Sequence, residues 1–386
     1  MNPYVFNTTP SIVVEAGASR RLGAVVAGRL GHTVLFVTDP GLRALGLGDA
    51  AIASLEAADI SVTVFDTVEA DPSRATLERA VAMGRGCGAT GIVGFGGGSS
   101  LDIAKLTALL CGSSEALDDA WGVGNAKGPR LPLCLVPTTA GTGSEVTPVS
   151  IITVGADEKR GVSSPVILPD IAILDPELTL GLPPAITAAT GIDAMVHAIE
   201  AYSSKSANNN PLSKMLAREA LRLLGANIET AVFEGSNLEA RSAMLLGSML
   251  AGQAFANSPV AAVHALAYPI GGSFHVPHGL SNALVLPHVL RFNMVEASML
   301  YAEIAADAFP TLSGDEGSQA RGSAFVDALA SLSVRLGLEQ RLRDVGIGRE
   351  HLPKLAADAM KQTRLLVNNP RVLGEADALA IYEAAW

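Results

Sequence analysis

Positive charge, cysteine and long apolar runs are all scarce in these 386 residues, and each scarcity removes a class of function. Lysine and arginine number 27 against 38 aspartates and glutamates, a formal charge of -11. Nucleic acid and anionic membrane surfaces would repel the average face of such a molecule, so neither is an expected partner and small-molecule chemistry is. The three cysteines, Cys87, Cys111 and Cys134, are odd in number and show no CxxC spacing. They read as reduced thiols with no metal role, which points to a cytoplasmic protein. The opening MNPYVFNTTPSIVVE carries no basic segment followed by an apolar core and a small-residue cleavage site, so no secretory signal is expected.

Asp, Glu, Lys and Arg are missing altogether between Ser242 and Leu290. A membrane span is not the reading, because Asn257, Pro259, Pro269, Gly271, Gly272 and Pro277 interrupt the stretch before it reaches the roughly 20 apolar residues that a bilayer needs. An uncharged but punctuated segment fits the inner wall of a core. Four of the seven histidines, His264, His275, His278 and His288, lie inside it.

What is present divides near Pro183-Pro184. Before it, β-branched runs (HTVLFVTD, ISVTVFD, TGIVGFGGG) alternate with Ala/Leu-rich helical stretches, the pattern of βαβ units. An α/β domain with a parallel sheet is expected over residues 1–183, with SIVVE either a strand of that sheet or a strand pairing across a dimer interface. Beyond it, Ala, Leu and Met recur at helical spacing and β-branched runs almost vanish, so residues 184–386 are expected to be all-helical. Asn208-Asn209-Asn210-Pro211 predicts a loop and a fresh helix start.

In the first half, GIVGF-GGGSS-LDIAKLTALL reads as strand, glycine loop and helix. Glycines let a backbone approach an anion, and the N–H groups opening the helix favour negative charge. The bland alternative is a tight turn needing glycine only for its dihedrals. Asp39, directly after the strand VLFVT, can accept from ribose hydroxyls and repel the extra phosphate of NADP, or can simply cap a turn before Pro40. The acid precedes the glycine loop, the reverse of the usual dinucleotide fingerprint, so the wiring is not the ordinary Rossmann one. PTTAGTGSEVTPV, from Pro137 to Val149, packs hydroxyls and glycines into a loop suited to a polar ligand.

In the second half, Asp193 and His197 stand at i, i+4 on one helix face, a spacing that serves either a metal or an Asp–His hydrogen bond. On one straight helix His264 and His278 would lie about 21 Å apart. Pro269, Gly271, Gly272 and Pro277 are expected to break that path and bring both histidines to one point. Three imidazoles and one carboxylate suit Fe(II), Zn(II), Ni(II) or Mn(II). His275 is left to face substrate and His288 to pack.

Taken together, GGGSSLDIAK, PTTAGTGSEVTP, ILDPELT, the Asp193/His197 pair, the His264 segment, HVPHGLSNALVLPHV and NNPRVLGEADALAIYEAAW make a chain that resembles the iron-containing (group III) alcohol dehydrogenase family in order and spacing. The resemblance implies a dehydroquinate synthase-like fold: an α/β dinucleotide-binding domain, an all-α domain and a catalytic ion in the cleft between them. It implies that Asp193, His197, His264 and His278 hold the ion, with Fe(II) ahead of Zn(II), Ni(II) or Mn(II). NAD would lie with its pyrophosphate on Gly97, Gly98 and Ser99, its adenosine ribose facing Asp39 and its adenosine end near Asp71. Thr138, Thr139, Thr142, Thr147 and Val149 would border the nicotinamide, and Lys159, or Arg160 one place on, its ribose. Tyr268 stands where many members have a histidine facing substrate, which makes Tyr268 and His275 the catalytic candidates for hydrogen bonding and proton transfer. The implied activity is hydride transfer between NAD(H) and a primary alcohol or its aldehyde, by a homodimer. The alternatives are a maleylacetate-reductase-like or hydroxyacid oxidoreductase, and a non-redox NAD/metal lyase of the dehydroquinate synthase type.

Overall fold

A computed structural model describes residues 3–155, 158–314 and 317–386. Contacts divide the chain into two units, one of Asn7–Thr139 with Gly143–Leu180, the other of Gly181–Trp386 with Ala140–Thr142 and the N-terminal residues through Phe6. The middle of the hydroxyl-rich loop thus counts with the second unit.

The first unit holds nine strands: β1 (Ser11–Val14), β2 (Thr33–Val37), β3 (Ser61–Phe65), β4 (Gly91–Gly96), β5 (Gly122–Val123), β6 (Leu133–Pro137), β7 (Val149–Val154), β8 (Glu158–Ser163) and β9 (Ile171–Leu174). Six form one sheet in the order β1-β9-β6-β4-β2-β3, every pair parallel, with Phe36 opposite Val93 and Val93 opposite Cys134. β1, the SIVV of the opening segment, is therefore an edge strand of its own sheet. β5, β8 and β7 make a small second sheet. The helices are α1 (Leu22–Val26), α2 (Pro40–Ala44), α3 (Asp49–Glu56), α4 (Arg74–Gly86), α5 (Gly98–Gly112) and α6 (Leu117–Ala120).

Parallel strands need helical crossovers, and helices on both faces bury the central strands completely. The period of two sorts their side chains. Leu35, Val37, Ile92, Leu133 and Leu135 pack with α4 and α5, while Val34, Phe36, Val93, Phe95 and Cys134 pack with α1 and α3. Gly94 lets α5 come close, because a Cβ there would sit 2.7 Å from the Ala104 Cβ and 2.6 Å from Leu135 Cδ2. Cys134 is part of this interior, and burial pushes its thiol well above the ordinary range, which leaves it inert.

The second unit is helical throughout: α7 (Pro184–Ser203), α8 (Pro211–Phe233), α9 (Leu238–Asn257), α10 (Ala262–Phe274), α11 (His278–Ala308), α12 (Ser318–Arg335), α13 (Leu352–Ala359), α14 (Thr363–Leu366) and α15 (Glu375–Ala385). α8 starts at Pro211, the helix start expected after the asparagine run, with the Asn210 side chain accepting from Ser213 N at 3.0 Å as its cap. α7 is buried along most of its length among α8, α9 and α11. No helix of the described residues is long and apolar enough to cross a membrane.

One expectation about the second unit needs correction. Pro269, Gly271 and Gly272 do not break the chain between His264 and His278, since α10 runs through them to Phe274. The proline removes one backbone donor, but the surrounding apolar packing of His264–Ile270 holds the helix. The reversal happens at His275, whose left-handed φ of 56° ends α10, and at Pro277, the expected breaker that does precede α11.

Candidate metal and nucleotide sites

α7 places Asp193 and His197 one turn apart, α10 supplies His264 in its first turn, and His278 opens α11. The two reversals bring their polar atoms together. Asp193 Oδ1 lies 3.7 Å from His264 Nε2, 3.7 Å from His278 Nε2 and 4.0 Å from His197 Nε2. Asp193, His264 and His278 offer ligand atoms all within 4.8 Å of one another. The rings pack as well, with His197 stacked on His264 at 4.6 Å and on Phe255 at 4.4 Å between centroids.

Protonation follows from these surroundings. Burial drives the His197 imidazole down to about 3, so it is neutral at physiological pH. Its Nδ1 lies 3.1 Å from the Gly141 carbonyl, to which it donates, and the Nε2 lone pair is left for the cluster. Burial raises Asp193, but the three imidazoles and the Asn282 amide outweigh it and hold the carboxyl below its ordinary value. His264 Nδ1 is 2.7 Å from Glu200 Oε2, and the carboxylate of Glu200 also accepts from Ala261 N at 2.9 Å and Val263 N at 2.7 Å. Asn282 donates through Nδ2 to Asp193 Oδ1 at 2.7 Å, while its own Oδ1 is buried without a partner.

This donor set fits a divalent ion. Imidazole lone pairs and a carboxylate oxygen, all electron-rich, converge at spacings natural around a cation with bonds of about 2.0–2.2 Å. One side is open: the side chains of Asp193, His197 and His264 are 3%, 6% and 2% exposed, that of His278 40%. A purely structural site would be closed on all sides. Tyr268 flanks the open side, its ring 5.8 Å from that of His278, and the Arg364 guanidinium lies within 3.5 Å of its hydroxyl. His275 is exposed at the end of α10. His288 is partly buried in α11, and burial lowers it to about 4, as befits a packing residue.

The first unit gathers the other predicted residues. β4 ends at Gly96 and Gly97 caps α5, so the N–H groups of Gly98, Ser99 and Ser100 are the first-turn donors of a fifteen-residue helix. Gly97 borders Thr139, and Thr138 N donates to Gly96 O at 3.0 Å, which holds the hydroxyl loop against the glycine turn. Thr142 belongs to the segment that counts with the helical unit. Asp39 caps α2, accepting from Leu42 N at 2.9 Å. Asp71, in a left-handed conformation, pairs with Lys159 Nζ at 2.6 Å, and Lys159 also donates to Thr153 Oγ1. Arg160 pairs with Glu158 instead.

Thr147 and Val149 serve a buried lysine that sequence reasoning passed over. Lys105 Nζ donates to Ser144 Oγ (2.7 Å), Thr147 Oγ1 (3.1 Å) and Val149 O (2.7 Å), with Asp102 at 3.7 Å. Asp102 in turn accepts from Ser144 Oγ and Ile151 N. Burial lowers Lys105 to about 8 and raises Glu145 beside it to about 7. Glu200 and Asn282 were missed too. Both follow the same spacing logic as the ligands: Glu200 is three residues after His197 on α7, Asn282 four after His278 on α11.

Comparison with known proteins agrees with this geometry. Residues 9–176 match the model of the iron-containing alcohol dehydrogenases, and residues 187–386 the C-terminal part of the Fe-containing alcohol dehydrogenase family. Long-chain-alcohol dehydrogenase 1 of Geobacillus thermodenitrificans is 42% identical over 95% of this chain and 91% of its own. Among solved structures, a 1,3-propanediol oxidoreductase is 35% identical with a TM-score of 0.95 over the full length of both chains. Sulfoacetaldehyde reductase of Bifidobacterium kashiwanohense, solved in complex with NAD+, is 28% identical with a TM-score of 0.87 over 99% of this chain and 98% of its own. With both units matched along nearly their whole length, the chain belongs to the iron-containing alcohol dehydrogenase family.

Proposed function

We propose that the protein transfers hydride between NAD(H) and a primary alcohol or its aldehyde, with a divalent ion, Fe(II) first, held by Asp193, His197, His264 and His278. The observation that carries this reading is the convergence of three imidazole nitrogens on one carboxylate oxygen with His278 on an open side. When bound, the ion supplies Lewis acidity to the substrate oxygen and the nicotinamide supplies or takes the hydride. The chain's own contributions are binding and orientation. His197 and His264 direct their Nε2 atoms inward, Asp193 brings the negative charge that offsets the cation, and Phe255 stacks on His197. Tyr268, beside His278, is the better placed of the two catalytic candidates to hydrogen-bond a substrate; His275 terminates α10.

On the nucleotide side, the α5 N-terminus at Gly97, Gly98 and Ser99 is suited to pyrophosphate, and Thr138, Thr139, Thr142, Thr147, Val149, Asp71 and Lys159 to the remainder. The free thiols and the family resemblance favour a cytoplasmic homodimer as the setting.

The test is to strip the purified protein with a chelator, add back Fe(II), Zn(II), Ni(II) or Mn(II), and follow NADH consumption with short aldehydes. Turnover should vanish and return with one or more ions. Nucleotide binding with no turnover under any ion would favour the non-redox lyase chemistry instead.

Asp39 uses one carboxylate oxygen as a helix cap, which leaves the other for a ribose hydroxyl. Asp39→Gly should therefore shift the kcat/KM ratio toward NADP by about tenfold or more, because like charges brought together cost several kcal/mol and about 1.4 kcal/mol is a decade. Glycine is itself a tolerable cap, so the fold should lose only a few tenths of a kcal/mol. An unchanged cofactor ratio would leave Asp39 as a cap alone.

A further inference from the structure

We propose that Glu200 is the positioning residue of the metal centre: it fixes His264 as the Nδ1–H tautomer and thereby sets the affinity of the site for its ion. The inference rests on the metal reading above.

Glu200 is 4% exposed and sits on α7 at i+7 from Asp193 and i+3 from His197, on the face that carries both. A carboxylate this deep persists only if its oxygens are satisfied. Here they are, by three N–H groups from one short stretch: Ala261 N, Val263 N and His264 Nδ1. The two backbone donors open α10, whose own N-cap residue, Ala261, has no capping side chain. Glu200 therefore supplies the cap from another helix, and in the same grip orients the first ligand that α10 carries. The residue is an acceptor on all three contacts, so the proton between it and His264 belongs to the imidazole. That leaves Nε2 as a lone pair, pointing at Asp193 Oδ1 across 3.7 Å.

The contrast with His197 makes the role specific. His197 Nδ1 donates to a neutral backbone carbonyl, that of Gly141, whereas His264 donates to a carboxylate. A carboxylate partner makes the imidazole a more basic ligand, and outer partners of this kind are worth about 10–100-fold in metal affinity. Between these two histidines, His264 is the one whose donor strength the chain has raised by a buried charge.

The experiment measures Co(II) affinity by chelator competition in the full-length wild type and in Glu200→Gln, together with the melting temperature of each metal-free protein and the tautomer of His264 by 15N-histidine NMR. Glutamine keeps the shape and one acceptor. The dissociation constant should rise by about 10–100-fold, with nucleotide binding near that of the wild type and the metal-free melting temperature lowered by a few degrees, because the amide nitrogen faces a buried N–H that had an acceptor. His264 in the metal-free wild type should carry its proton on Nδ1. An affinity within about twofold of wild type in a folded variant would overturn the proposal. Should the variant fail to fold, the wild-type spectrum decides, and a proton on Nε2 would overturn it equally. A wild type that takes up no ion would instead sink the metal reading, a result distinguishable from either of these.

Discussion

Asp193→Asn should leave a folded protein that binds nucleotide but has lost turnover by about a thousandfold or more. Lewis-acid stabilisation is worth several kcal/mol, and each 1.36 kcal/mol is about a decade in rate. Among the described residues Asp193 is the anion whose oxygen faces all three imidazoles, so the asparagine offers a cation an amide in place of a charge. The substitution is nearly isosteric, and an amide oxygen can still accept from Asn282. The metal-free variant should melt below the metal-free wild type at neutral pH, because the surroundings that hold the Asp193 carboxyl below its ordinary value favour the carboxylate in the folded state. Metal content by atomic absorption, melting of the metal-free forms and steady-state NADH consumption check the three parts separately. A variant that retained a full complement of ion and more than about a tenth of the wild-type rate would remove Asp193 from the ion-binding set.

How much of this site could be read beforehand depended on the range of the interactions. The Asp193/His197 pair was legible because helical period alone puts i and i+4 together. The sheet was legible for the same reason, since β-branched runs spaced by helical stretches have few other solutions. His264 and His278 stood out only as polar residues in a charge-free segment, and their meeting point depends on a reversal that the sequence places only in part. Pro269, Gly271 and Gly272 suggested a break in mid-segment, whereas α10 tolerates them and the chain turns at His275 and at the expected Pro277. Glu200 was invisible because its partner His264 lies far along the chain and a carboxylate on a helix ordinarily reads as solvated. The late NNPR and AIYEAAW segments resembled the family without showing a physical purpose. The structure supplies one: Asn368 Nδ2 donates to Val260 O at 3.1 Å and Tyr382 Oη to Leu266 O at 2.6 Å. These contacts hold both sides of the turn that carries His264, so the C-terminal helix supports the proposed metal site.

Lys105→Met should lower the melting temperature by roughly 10 °C. Breaking a buried ion pair from one side costs about 3–5 kcal/mol, and each kcal/mol moves the midpoint by about 2–4 °C in a unit of this size. The charge by itself is not the benefit, since burial has already pulled the ammonium down to about 8. What methionine forfeits is the donor that Ser144, Thr147 and Val149 share, and it leaves Asp102 buried without its cation. The sign of the pH dependence follows from the direction of the shift. With a folded pKa of about 8 and an ordinary lysine value of 10.5 in the unfolded chain, the unfolded state binds the extra proton between those limits, so wild-type stability from this group rises across that window. The methionine variant lacks that gain, and the gap between the two proteins should widen as pH rises from 8 toward 10. Because the same hydroxyls and carbonyl shape the loop from Pro137 to Val149, the KM for NAD should rise as well, with kcat changing less. A melting temperature within 2 °C of wild type at pH 7 would mean that the acceptors find other donors and that Lys105 does not organise the loop.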